Sequence, residues 1–140
     1  MGAAMFSTDE EQYARDHFGE PKTVRIVRRG ERDLAFSGWE IGRSLTENEY
    51  SSAIATLEVT IYVTTKGNYV TQIDRTSRSK WDEAAQPETE SKGAAHLYAE
   101  PALKWLIDDH GSELGAASKA AWEQACRAWP SLAEFEVEIV

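Results

Sequence analysis

Cysteine is nearly absent from the chain. Cys126 is the only one, which excludes an intrachain disulfide and agrees with a reducing compartment. Long apolar runs are missing too: nothing approaches the roughly 18 residues of a membrane span. The N-terminus has neither a basic n-region nor an apolar h-region, so a cytoplasmic location is expected. Histidine is sparse, and His17, His96 and His110 stand far apart with no His-x-x-x-His or Glu-x-x-His spacing. Asp108, Asp109 and His110 are read as a solvated helix end rather than a metal or acid/base site, so no metal and no cofactor is expected. No glycine-rich phosphate loop follows a strand, because the segment from Gly111 to Gly115 lacks the further glycines and the lysine. Ser118 and Cys126 fall inside an alanine-rich helix, where oxyanion donors are scarce, and Cys126 reads as a small buried hydrophobe. No catalytic residue is assigned, and enzymatic activity is not expected.

What the chain has in quantity is negative charge, a formal −9 over 140 residues. The distribution is uneven. Residues 1–20 carry five acids against one base, 21–32 five bases against one acid, 33–80 six acids against five bases, and 81–140 twelve acids against four bases. Such a length suits one domain that buries roughly two-thirds of its unfolded surface. We divide it into an N-terminal helical appendage, 1–20, and a single domain, 21–140.

The organising stretch is a hairpin. Leu57, Val59, Ile61 and Val63 alternate with Glu58, Thr60, Tyr62 and Thr64, which places four aliphatic side chains on one face of a strand. Thr65 to Asn68 supply a turn, and Tyr69, Thr71 and Ile73 resume the alternation. A two-residue and a three-residue turn put Tyr69 and Val70 on different faces, and both registers stay open. Upstream, Thr23 to Arg28 is strand-like and Asp33 to Arg43 forms a second strand. There the parity switch at Gly38 predicts a β-bulge that sets Phe36 and Trp39 on the same core side. The polar residues 44–53 and 76–93 are expected as loops, with Ala95 to Tyr98 a short strand.

Helical spacing appears in three places. Tyr13, Ala14, His17 and Phe18 form one stripe, and Leu103, Leu106 and Ile107 a second in a helix opened by Pro101. Ala117, Ala121, Ala125 and Ala128 make a small-residue stripe on a helix over 114–128, suited to close packing. The segment Glu134 to Val140 alternates Phe135, Val137 and Ile139 against glutamates and is expected as a one-sided terminal strand. The fold class is therefore α+β: an antiparallel four- to five-stranded sheet with two C-terminal helices packed on one face and a short N-terminal helix. The expected core is Phe36, Trp39, Val59, Ile61, Val63, Ile73, Leu103, Leu106, Ile107, Leu114, Ala121 and Ala125.

Several segments resemble a group of small, largely uncharacterised bacterial proteins carried near plasmid, phage or genomic-island genes. They are Leu34-Ala-Phe-Ser-Gly38, Ile61-Tyr-Val-Thr-Thr-Lys-Gly-Asn-Tyr-Val70, Arg75-Thr-Ser-Arg-Ser79, Leu103-Lys-Trp-Leu106 and Leu114-Gly-Ala-Ala-Ser118. The resemblance spans most residues from 33 to 128 and implies no activity and no site residue.

Two functional readings follow. The first is a non-catalytic acidic interaction protein, such as an inhibitor, an antitoxin-like or immunity-like protein or a complex subunit, that binds a basic protein partner. Its candidate surface is Glu134, Glu136 and Glu138, which strand alternation would place on one face. The second is a nucleic-acid accessory module using Arg25, Arg28, Arg29, Arg32, Arg75 and Arg78, with Lys80 nearby and Trp81 or Tyr62 to stack on bases. Global negative charge repels phosphate, and pairing of these arginines with the protein's own acids is the favoured alternative.

Overall fold

The structure is a computed structural model, and it describes residues 8–28, 30–82, 84–109 and 115–135. Five antiparallel strands follow one another in space as in sequence: β1 (Lys22–Ile26), β2 (Leu34–Glu49), β3 (Ala53–Thr64), β4 (Tyr69–Ser79) and β5 (Glu88–His96). One helix, α1 (Thr8–Phe18), precedes the sheet. Two more, α2 (Ala99–Asp109) and α3 (Ala116–Ala128), follow it, and a 3-10 helix covers Pro130–Phe135. The α+β class, the antiparallel order and the two C-terminal helices on the sheet are as expected. Among the described residues no helix is long and apolar enough to cross a membrane.

The alternation in β3 has the consequence that period-two patterning requires. Val59, Ile61 and Val63 are fully buried beneath the helices, together with Ile73 of β4. Val63 pairs with Tyr69 across a four-residue turn, so the register is settled in favour of Tyr69 on the helix-covered face. The Thr64 side-chain oxygen accepts from the N–H groups of Lys66 and Asn68, and Gly67 takes φ of 85°, which a glycine adopts without steric cost.

Helix α3 lies flat on β2 through its small-residue stripe. Ala117, Ala121 and Ala125 are buried, and the Ala121 carbonyl sits against Gly42. Trp122, Trp129, Leu106 and Leu132 fill the space around this contact. The first helix docks at the other end of α3: Ala14 is fully buried, Tyr13 O–H donates to the Ala128 carbonyl at 2.9 Å, and the Tyr13 ring meets Trp129 edge-on. Trp39 Nε1–H donates to the Gly19 carbonyl at 2.9 Å and pins the chain where α1 ends.

Four expectations need correction. The bulge in β2 lies between Glu40 and Gly42, not at Gly38. Gly38 instead sits at a tight crossing where a Cβ would collide with the backbone of Val63 and Thr64. With parity intact through Gly38, Phe36 faces away from Trp39 and packs edge-on against Tyr62, ring centroids 5.1 Å apart. Residues 44–49 are strand rather than loop, because β2 continues to Glu49. Most of 76–93 is strand too: β4 runs to Ser79 and β5 starts at Glu88, leaving only 80–87 as a connection. Glu134 and Phe135 close the 3-10 helix, so no strand begins there, and 136–140 lie outside the described residues, as do Arg29, His110 and Leu114.

The sheet curls until its edges touch. Ile26 of β1 lies over Gly93 of β5, where a Cβ would crowd the isoleucine methyls, and Arg28 donates to the Gly93 carbonyl at 3.2 Å. Ile26, at 1% exposure, and Val70, also 1%, thus belong to a second buried layer on the inner face, absent from the expected core.

Candidate interaction surface

Because the helices cover the sheet at one end only, the far halves of β2, β3, β4 and β5 form an overhang. On its inner face the register aligns Thr56, Glu58 and Thr60 of β3 with Thr76, Asp74 and Gln72 of β4. These are the polar partners in the alternation whose apolar partners face the helices. Apart from the buried Thr60, they line with the end of β1 a groove of about 510 Å³, rimmed by Val27, 66% exposed, and Leu45, 59% exposed. Together they put two large aliphatic side chains in solvent on one rim of the groove.

A hydrogen-bonded chain orders the groove floor. Tyr62 O–H donates to Gln72 Oε1 at 3.2 Å, and Gln72 Nε2 donates to the two Asp74 carboxylate oxygens at 3.2 and 3.3 Å. Burial, with the Glu40 and Asp74 carboxylates nearby, pushes the Tyr62 phenol up to about 12, so it stays a neutral donor. Beside it Arg43 donates through Nε and Nη2 to Glu58 Oε2 at 3.0 and 2.6 Å, and its own ionised form is favoured by that bond. Asp74 receives only the Gln72 amide and has no cationic partner within 4.0 Å among the described residues.

The outer face of the overhang carries a second depression, about 730 Å³, lined by Tyr50, Leu57, Arg75, Glu88 and Glu90. At the tip, the Lys80 N–H donates to the Ser52 carbonyl and Trp81 stands 77% exposed.

The candidate arginines do not converge. Arg25 binds Asp33 through Nε and Nη2 at 2.8 and 2.7 Å. Arg28 is held by the Arg32 and Gly93 carbonyls and by Glu31. Arg78 lies 3.8 Å from Glu47 and Lys80 2.7 Å from Glu49. Arg75 and Arg78 differ in parity along β4, so they occupy opposite faces, with Arg75 opposite Leu57 and Glu90. Arg32 is exposed, and Arg29 lies outside the described residues. Tyr62 is half-buried against Phe36, which takes its ring out of reach of a stacking base.

Of the acidic trio, Glu134 belongs to the 3-10 helix and Glu136 and Glu138 lie outside the described residues. Ser118 and Cys126 are buried in α3. His96 is half-buried with Nε2 2.9 Å from Thr71 Oγ1, and burial lowers its basicity. Among the described residues no group of three or more His, Cys, Asp or Glu could hold a metal ion. Sequence reasoning missed Leu45, Glu58, Gln72 and Asp74. The available signal was the second face of the hairpin alternation, which carries Thr56, Glu58, Gln72, Asp74 and Thr76.

No protein-family model matches the chain, and neither a curated protein nor a solved structure is similar to it at a significant level.

Proposed function

We propose that this chain is a non-catalytic binding protein, of the inhibitor, antitoxin, immunity or complex-subunit kind, that engages a basic protein partner through the uncovered overhang of its sheet. One observation carries the reading. The groove joins exposed apolar rims, Val27 and Leu45, to a carboxylate, Asp74, that no described cation neutralises, while the neighbouring arginines are already matched to the protein's own acids. A surface of that kind attracts a cationic partner and offers it apolar area to bury. The overall charge of −9 acts in the same direction at long range.

A nucleic-acid role draws less support, since Arg25, Arg28 and Arg78 are paired with the protein's own acids and Arg75 and Arg78 lie on opposite faces. The test is affinity capture from the source cells with and without nuclease, followed by kinetics with whatever is recovered. A stoichiometric protein insensitive to nuclease, whose association slows and loses salt dependence with Asp74→Asn, supports the proposal. Salt-dependent recovery of nucleic acid overturns it. If the triple variant Glu134→Gln, Glu136→Gln, Glu138→Gln abolishes association while Asp74→Asn does not, the partner binds the C-terminal segment instead of the groove.

A further inference from the structure

Strand β2 has an outer neighbour over only part of its length. β1 pairs with Leu34 to Gly38, and from there to Glu49 no described strand flanks it. The direction of each backbone group follows from the ladder. Tyr50 N–H donates to the Ala53 carbonyl at 2.8 Å, which makes that facing pair a hydrogen-bonded one. Antiparallel pairs alternate, so Ser44, Thr46 and Asn48 direct their N–H and C=O groups at β3, while Arg43, Leu45, Glu47 and Glu49 direct theirs outward. Arg43 verifies the assignment: its outward N–H donates to Gln124 Oε1 of α3 at 2.6 Å. Past Arg43 that cover ends. The outward N–H groups of Leu45, Glu47 and Glu49 donate to no described residue, and their outward carbonyls accept from none.

We infer that this free edge takes an extended segment of a basic partner as a sixth, antiparallel strand. The inference rests on the protein-binding reading above and specifies how the partner binds. An edge of unpaired backbone groups is a ready template for strand addition. Its chemistry selects the occupant. Residues 44–50 include two acids and no base, and the side chains of Leu45, Glu47 and Glu49 share the face that carries the groove. Glu47 and Glu49 already lie 3.8 and 2.7 Å from Arg78 and Lys80, but both carboxylates stay largely exposed, so an added strand would place the side chains opposite them within reach, where lysine or arginine is favoured by cross-strand pairing. A second copy paired symmetrically about Glu47, the centre of the free run, would set Glu47 against itself, so the acids of the edge favour a basic segment over that arrangement.

The experiment uses the full chain and two end-blocked decapeptides of alternating lysine and threonine. One is unmodified, and the other is N-methylated at its lysines, so that the charge is equal but strand pairing is lost. The unmodified peptide is expected to slow amide exchange at Leu45, Glu47 and Glu49, and the methylated one to bind about tenfold more weakly or worse, for the loss of two or three hydrogen bonds. Leu45→Pro, which removes an outward N–H and leaves both edge carboxylates in place, should weaken the unmodified peptide comparably; should that variant fail to fold, the peptide comparison on the unaltered chain decides. Equal, salt-dependent binding of both peptides overturns edge pairing while leaving an acidic binding surface in place. Binding of neither peptide overturns edge pairing, as does protection of Leu45, Glu47 and Glu49 through self-association of the chain before any peptide is added.

Discussion

Gly42 of β2 faces the backbone carbonyl of Ala121 in α3 so closely that no Cβ fits between them. The helix rests directly on the strand at that point, with Ala125 alongside. Gly42→Ala must therefore lift α3 or bend β2, at a cost of about 1–3 kcal/mol or more. Urea unfolding of the variant checks this. A midpoint equal to the parent's would mean that α3 does not seat on β2 there.

Ile61→Ala should cost about 2–5 kcal/mol, because the side chain is fully buried in the helix-covered layer. Leu45→Ser, on the overhang, should stay within about 0.5 kcal/mol of the parent. Paired denaturation curves test both, and similar losses for the two would contradict the division between anchored and overhanging halves of the sheet.

Tyr62 should titrate at about 12 against its ordinary 10.0. The folded state then holds a phenolic proton that the unfolded chain releases earlier, so stability falls as pH rises from 10 toward 12. Tyr62→Phe removes this component. Unfolding midpoints measured for both proteins across that window should converge as pH rises, and parallel curves would rule out the buried phenol as the cause.

His96 carries the opposite dependence. Burial favours its neutral form, so its affinity for a proton is lower folded than unfolded. Its contribution is present above 6.5 and is lost as pH falls from 6.5 through the depressed folded value. His96→Gln should flatten the stability profile below pH 6.5, and an unchanged slope there would assign the acid sensitivity to other groups.

The parts of the fold legible from sequence are those where one face is covered. Val59, Ile61 and Val63 alternate cleanly because the helices bury one side of β3, and the alanines of α3 announce the close contact with Gly42. Where neither face is covered, the pattern vanishes. Residues 44–49 and 88–91 are polar at nearly every position because both sides of the overhang meet solvent, and hydrophobic periodicity has nothing to record there. The misplaced bulge has a different cause. Gly38 and Gly42 are both required by close backbone approach, one to β3 and one to α3, and sequence does not say which glycine adjoins a change of parity. The groove is half visible in the sequence: Arg25 and Tyr62 stand out as isolated residues, whereas Glu58, Gln72 and Asp74 acquire meaning only from the β3–β4 register.

The overhang also separates two kinds of evolutionary constraint within the same strands. Near Trp39, Val63 and Tyr69, a substitution is felt by the whole domain through packing. Around Leu45, Thr56 and Thr76 the same strands meet only one another and solvent, so side chains there can change with little effect on folding. Side chains of the overhang can thus be exchanged one by one while the half gripped by α2 and α3 is kept, which lets the chemistry of that surface drift faster than the architecture.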